Sequence, residues 1–138
     1  MGPIYRIPEQ RAGQVADVYG NVWRTDLRPY HLVRPALLDT PPERYRFPAV
    51  DDLLTPLWER ETLRTLAENK DRFTALNLGT GLWELAWNLR GFENALVDAA
   101  AEPDAFGALS GRIAEHQAAI VDRLLQLPAD GVFIDKNS

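Results

Sequence analysis

The sequence predicts an α/β fold, as an incomplete TIM-type (β/α)8 barrel segment that contains two parallel barrel strands. Two short apolar runs, residues 73–78 and 132–134, have the composition of buried strands. The chain between them has helical patterns, and strands joined through a helix pair in parallel by a right-handed crossover. Such strands need covering helices and further strands, and a complete barrel takes eight. We therefore expect part of a barrel in residues 51–138, preceded by a different segment in residues 1–50.

The N-terminal segment is rich in proline, since residues 1–50 hold seven of the ten prolines. Proline removes a backbone donor and clashes with the preceding turn, so long helices are excluded there. Gly20 and Asn21 suit a tight two-residue turn, and we predict a short hairpin between residues 14–19 and 22–25. For residues 27–50 we predict an irregular segment with little regular secondary structure. It either packs on the surface or serves as a binding loop.

Helices are predicted from caps and from apolar spacing. Thr55 is suited to the N-cap and Pro56 to the first position of a helix, so we expect a helix from Pro56 to about residue 69. Its inward residues are predicted to be Leu63, Leu66 and Ala67. After a glycine turn at residues 79–81, a second helix places four residues on one face by offsets of three, four and seven. These residues are Leu82, Leu85, Ala86 and Leu89.

The remaining helices are separated by breakers. Gly91 interrupts the second helix and Phe92 begins the next one. Pro103 then begins the longest helix, whose apolar residues alternate by three and four. Those residues are Phe106, Leu109, Ile113, Ile120, Leu124 and Leu127.

Charge and composition exclude several classes of protein. The formal net charge is -5, whereas nucleic-acid-binding proteins usually carry a basic face. Cysteine is absent, which excludes disulfides, thiol nucleophiles and thiolate metal sites. No apolar run reaches the ~18 residues of a membrane span, and no secretory signal is recognisable. We therefore expect a cytoplasmic protein with neither a nucleic-acid nor a membrane partner.

Residues 79–94, GTGLWELAWNLRGFEN, resemble the uroporphyrinogen decarboxylase-like (URO-D) family. The similarity is strongest to its branch of corrinoid-linked methyltransferases and uncharacterised relatives. Residues 17–23 are similar to that branch's Asp-x-x-Gly-x-x-Trp hairpin, and residues 45–48 to its Tyr-x-Phe-Pro segment. Residues 130–132 resemble its Asp-Gly-Val strand. Together the motifs cover most of residues 15–135.

The resemblance implies a barrel that binds a tetrapyrrole or a corrinoid-linked substrate at the carboxyl ends of its strands. The decarboxylases of the family use no cofactor, and none is expected here. Their arginines and aspartate near the first strands would precede Met1, and Trp87 stands where they have a tyrosine. The zinc-binding histidine and cysteines of the methyltransferase branch have no counterpart. The resemblance thus implies a partial domain, inactive alone, of a porphyrin-related lyase or methyltransferase.

Substrate-binding residues are predicted in the glycine turn and in the helix that follows it. The amides of Gly79, Thr80 and Gly81 could hold a carboxylate or phosphate at a helix N-terminus, or the glycines could simply serve the turn. Trp83, Trp87 and Arg90 are spaced along one side of the helix. They are interpreted either as a substrate wall for an acidic macrocycle or as ordinary packing with a solvated arginine.

Two titratable residues are further candidates. Asp135, just after the second strand, lies where barrel enzymes place catalytic groups, and it is our catalytic candidate. The alternative is a solvated residue. His116 lies on the inner face of the longest helix and has no second ligand at metal spacing, so we predict a hydrogen-bonded interior histidine and no metal.

Two functional hypotheses follow. In the first, the chain is a URO-D-like segment whose site needs further strands. In the second, it is a non-catalytic fragment or interaction module that retains only the framework. Under either hypothesis, exposed strand edges would favour self-association.

Overall fold

The computed structural model describes residues 9–11 and 13–134. The strands are β1 (Glu9–Arg11), β2 (Gln14–Ala16), β3 (Val22–Arg24), β4 (His31–Arg34), β5 (Ala75–Asn77) and β6 (Gly131–Phe133). The α-helices are α1 (Val50–Leu53), α2 (Pro56–Glu68), α3 (Leu82–Arg90), α4 (Phe92–Ala101) and α5 (Pro103–Leu124). A single 3-10 turn is formed by Pro42–Arg44 within these residues. The fold is therefore mixed α/β, as predicted.

The N-terminal segment forms an antiparallel sheet in the order β1-β2-β3-β4. The predicted hairpin is confirmed, with Val15 opposite Trp23 in β2 and β3. Its connection is residues 17–21, however, and not the two-residue turn that was predicted. The prediction of irregular chain over residues 27–50 was also incomplete, because β4 extends this sheet and α1 begins at Val50. β4 was missed because it carries little apolar alternation and is largely exposed.

Helix α2 begins as its cap predicts. The Thr55 side chain accepts a hydrogen bond of 3.1 Å from the Trp58 amide, and Pro56 is the first helical residue. Leu66 is buried, but Leu63 and Ala67 are exposed, so two of the three predicted inward residues were wrong. Fewer residues of α2 are buried than the spacing of its apolar residues predicts, since only Thr62 and Leu66 are buried.

Strands β5 and β6 are adjacent and parallel, as predicted. Leu76 lies opposite Val132 in their register, and the Leu78 amide extends the pair with a 2.8 Å hydrogen bond to the Phe133 carbonyl. The predicted buried run from residue 73 was too long, because Phe73 precedes the strand and is 82% exposed. A core forms where this pair meets α1, α2 and the end of α5. Its buried members are Leu53, Leu54, Leu66, Leu76, Leu78, Ile120, Leu124 and Leu127.

A second core lies between α3, α5 and the N-terminal segment. Leu85, Leu89 and Ile113 are almost fully buried in it, together with Tyr19 and Leu37. On α3, Leu82 is exposed and not inward as predicted, since it lies at the open start of the helix. The remaining buried members are Ala86 and Leu109.

The break between α3 and α4 is a glycine effect. Gly91 has φ of +89°, a conformation that side-chain-bearing residues rarely adopt, and it caps both helices. This confirms the predicted interruption between α3 and α4. Within the described ranges, no helix has both the length and the apolar character needed to span a bilayer.

Candidate substrate-binding face

The glycine turn joins the carboxyl end of β5 to the start of α3. The Gly79 amide donates to Oδ1 of Asn77 over 2.8 Å, and φ of Gly79 is +97°. Thr80 is buried, and its carbonyl accepts a 2.8 Å hydrogen bond from the Gln117 side chain on α5. The turn is thus fixed by its neighbours, and the Gly79 amide is already engaged. This favours a structural role for Gly79 over direct anion binding.

The same turn lies against the end of β6. A Cβ atom on Gly81 would meet Cγ2 of Ile134 at 3.7 Å. The carboxyl ends of both strands therefore meet at the turn, with Phe133 and Ile134 about half exposed beside it. In parallel α/β folds, this end of the strands is where ligands bind.

An aromatic cluster follows the turn. The Trp83 and Trp87 rings each meet the ring of Phe92 edge-on, with centroid distances of 6.4 and 5.9 Å. Trp83 also contacts Phe106 at 5.9 Å, and Trp87 contacts Trp23 of β3 at 6.4 Å. Trp83 is 41% exposed, so part of its surface is accessible to a ligand. The two predicted tryptophans are brought together, with Phe92 between them.

Arg90, the third predicted member of the wall, is engaged elsewhere. Its Nε and Nη2 atoms donate to the carboxylate of Asp98 over 2.6 and 3.2 Å, in a bidentate pair that joins α3 to α4. Its Nη1 atom donates to the Leu37 carbonyl over 3.2 Å, while the Leu37 amide donates to the Leu89 carbonyl. Arg90 therefore serves to join three parts of the fold.

A buried carboxylate organises the β2–β3 connection, which the sequence interpretation had not singled out as a site. The Asp17 carboxylate accepts hydrogen bonds of 2.9 to 3.1 Å from the Tyr19 amide, the Asn21 amide and side chain, and the Trp23 indole. The side-chain oxygen Oδ1 of Asn21 accepts in turn from the Ala36 amide over 2.8 Å. The Asp-x-x-Gly-x-x-Trp spacing was the available signal, because it places aspartate and indole within reach across the hairpin.

His116 is the predicted interior histidine. It shares a 2.9 Å hydrogen bond with the Tyr19 hydroxyl and lies 4.9 Å from the Phe47 ring. Burial lowers the pKa of His116 below its ordinary value. The Tyr45 hydroxyl donates to the Tyr19 carbonyl over 2.7 Å, and burial raises the pKa of Tyr45 well above its ordinary value. No cluster of three metal-binding side chains occurs among the described residues.

Arg112 fastens the proline-rich segment onto α5. Its guanidinium donates to the carbonyls of Pro42 and Tyr45 and lies 5.2 Å from the centre of the Phe47 ring. These contacts support the packing interpretation of this part of residues 27–50. The Arg112 guanidinium is therefore used in contacts within the chain.

The remaining predicted site residue is Asp135, which lies outside the described residues. A cavity of about 270 Å³ between α2 and β5 is lined by Thr62, Thr65, Asn69 and Phe73, among others. It adjoins the amino-terminal half of β5 and not the strand end that holds the glycine turn.

Comparison with known proteins yields no matching family model, no matching curated protein and no matching solved structure. The candidate face is thus defined by the geometry of its own residues. That geometry comprises a hydrogen-bonded glycine turn, two adjacent strand ends and a partly exposed tryptophan.

Proposed function

We propose that the chain is a URO-D-like segment, with a binding face for an acidic tetrapyrrole or a corrinoid-linked substrate at the carboxyl ends of β5 and β6. The observation that carries this proposal is the direct parallel pairing of Leu76 with Val132. Barrel enzymes place their active sites at this end of adjacent parallel strands. The resemblance of residues 79–94 to the family lies at the same place, in the turn and the helix after β5.

The open edges of the β5–β6 pair support the barrel part of the proposal. Each strand has one strand neighbour among the described residues. Phe73 is 82% exposed, and Phe133 and Ile134 are about half exposed. Parallel strands are ordinarily buried on both faces and flanked by further strands. Additional strands would pair with the two open edges, and their covering helices would bury the exposed faces, as a complete barrel requires.

The described residues at this face supply binding surface and not acid–base chemistry. Trp83 offers a flat apolar ring on which a macrocycle can stack. The turn of Gly79, Thr80 and Gly81 contains no titratable side chain. Decarboxylation or methyl transfer would therefore need groups from elsewhere in a complete barrel, with Asp135 as the candidate that this chain contributes.

A second candidate function, a non-catalytic interaction module, is favoured by the engagement of Arg90. An acidic macrocycle needs cations beside the aromatic wall, but the Arg90 guanidinium is neutralised by Asp98 at 2.6 Å. The Gly79 amide is likewise used by Asn77. In this alternative the framework of the fold is retained and substrate chemistry is lost.

The two functions differ in their response to a porphyrin. We would titrate the protein with uroporphyrin, an octacarboxylic macrocycle, and obtain the dissociation constant by calorimetry. The first function predicts saturable binding that Trp83→Leu weakens by about fivefold or more, because the stacking ring is lost. Phe73→Leu is the matched control, since Phe73 is also an exposed aromatic residue and precedes the amino-terminal end of β5, whereas the glycine turn follows its carboxyl end. An absence of binding up to about 1 mM, or equal weakening by both variants, would favour the interaction module.

A further inference from the structure

Helix α4 exposes an apolar face instead of burying it. Phe92, Leu96 and Val97 are 53%, 48% and 60% exposed. Phe92 and Leu96 are one turn apart, and Val97 lies about 100° further round, so the three span roughly 140° of the helix surface. Within α4 only Ala95 is buried. A surface helix ordinarily turns its apolar stripe toward the core. We call Phe92, Leu96 and Val97 the α4 face.

The α4 face is continuous with other exposed apolar surface. The ring of Phe92 meets that of Trp83 at 6.4 Å, and Trp83 in turn meets Phe106 at the start of α5 at 5.9 Å. Trp83 is 41% exposed, whereas Phe106 is partly buried against the second core, so the exposed apolar surface extends from α4 to the start of α3. Contiguous apolar surface of this kind marks interaction sites on folded proteins.

The charged side chains along the chain in α4 and the first two turns of α5 all have one sign. Residues 91–111 contain four acidic residues and neither lysine nor arginine. Asp98 is paired with Arg90, whereas Glu93, Glu102 and Asp104 are exposed and form no ion pair within the described part of the chain. Glu93 lies on the same side of α4 as Val97, one turn away. The face therefore combines apolar side chains with unneutralised carboxylates.

We propose that the α4 face docks a basic amphipathic helix from another protein. Apolar residues of that helix would cover Phe92, Leu96 and Val97, and its lysines or arginines would lie opposite Glu93 and Glu102. The same carboxylates disfavour the other occupants. A second copy of the face would bring like charges together, and nucleic acid and anionic lipid surfaces would be repelled. This proposal does not rest on the proposed macrocycle site.

The test uses the whole chain and a model peptide as the probe. The peptide is a fluorescein-labelled helix of leucine and lysine, with leucines at i, i+3, i+4 and i+7. We expect saturable binding by anisotropy that weakens as salt is raised from about 0.05 to about 0.5 M. A peptide with the same leucines but glutamate in place of lysine should not bind. A leucine–lysine peptide of scrambled order should bind at least about tenfold more weakly, because its apolar residues no longer form one stripe.

Variants locate the binding to the α4 face. Glu93→Lys should weaken binding by about tenfold, and Leu96→Gln by about fivefold, because one removes the charge attraction and the other an apolar contact. Glu68→Lys on α2 is the matched control, since Glu68 is also exposed and the charge change is the same. Both α4 residues are exposed, so the variants should keep the far-ultraviolet circular dichroism of the parent. Equal weakening by Glu68→Lys and Glu93→Lys would overturn the proposal, because binding would then follow net charge alone.

A test for self-association distinguishes a partner helix from a second copy of this chain as the molecule that binds the α4 face. If light scattering shows a dimer that Leu96→Gln dissociates, the occupant is a second copy and the proposal is overturned. A chain that binds the leucine–lysine peptide with no dimer at the α4 face supports it. Neither result depends on uroporphyrin binding, so this proposal and the proposed function can fail separately.

Discussion

Tyr19 and His116 are 97 positions apart and share a buried hydrogen bond of 2.9 Å between the tyrosine hydroxyl and Nε2 of the imidazole. The bond joins the β2–β3 connection to the middle of α5, and Phe47 lies over the same imidazole at 4.9 Å. Burial lowers the pKa of His116, so the neutral imidazole is the form that fits this contact. The N-terminal segment is therefore attached to the helical part through a group that titrates.

The free energy of unfolding should depend on pH through His116. The folded state binds a proton less readily than the unfolded state, whose histidine has its ordinary pKa of 6.5. Stability from this group is thus complete above about pH 6.5 and is lost as the pH falls through the lowered folded pKa. Urea unfolding at a series of pH values should show this slope. His116→Gln should reduce it, whereas His31→Gln, at an exposed position, should retain it.

If His116→Gln unfolded with the same pH slope as the parent, the acid sensitivity would come from other groups. The groups that face His116 from neighbouring elements are Tyr19, Tyr45 and Arg112, through direct contact or through Phe47. A pH slope that is clearly smaller in His116→Gln than in the parent would assign the acid sensitivity to the imidazole.

The carboxylate of Asp17 should be a major source of stability. Asp17→Asn places an amide N–H where several backbone and side-chain donors now converge, so some of these buried donors lose their acceptor. We expect the free energy of unfolding to fall by about 2–4 kcal/mol, measured by urea denaturation. Asp26→Asn is the control, because Asp26 lies on the surface and pairs with Arg24. A loss no larger than that of Asp26→Asn would show that the loop is held by other contacts.

The bidentate pair of Arg90 and Asp98 should show measurable coupling. Both side chains are about 20% exposed, so removing one partner leaves the other charge poorly solvated. We expect Arg90→Met and Asp98→Leu each to lower the free energy of unfolding. The loss in the double variant should be smaller than the sum of the two single losses by about 1–2 kcal/mol. The exposed Arg34–Asp39 pair is the matched comparison, with an expected coupling of about 0–1 kcal/mol. Equal coupling in both cycles would mean that Arg90 contributes no more than a surface contact.

The sequence predicted the parts of the fold that follow from local pattern. The β5 and β6 strands, the Thr55 cap and the break at Gly91 were each indicated by residues within a few positions of one another. β4 was not predicted, because this exposed strand lacks the alternation of apolar and polar residues by which a strand is recognised in a sequence.

The candidate site was predicted less well, because its side chains depend on contacts between distant residues. Trp83 and Trp87 share one side of α3, which the helical period predicts. The partner of Arg90 lies eight residues away, beyond the bend at Gly91, where helical spacing no longer indicates which side chains face each other. The hydrogen bonds from Arg112 to the proline-rich segment span about 70 residues and leave no local signal. In both cases the sequence alone does not show that the arginine already has partners within the chain, namely Asp98 for Arg90 and two backbone carbonyls for Arg112.

The open edges of β5 and β6 lead to the last prediction. Phe73, Phe133 and Ile134 expose apolar surface beside strand edges that no other strand of the described residues pairs with. Such edges are templates for pairing with another chain. We expect the purified chain to bind a hydrophobic dye and to self-associate as its concentration rises, measured by fluorescence and light scattering. Phe133→Lys should reduce both, because charge on an edge strand opposes pairing. Leu57→Lys, at an equally exposed position on α2, should change neither. A monomer with low dye binding and a sharply cooperative unfolding transition would contradict the incomplete barrel, because such a protein would have no edge left to complete.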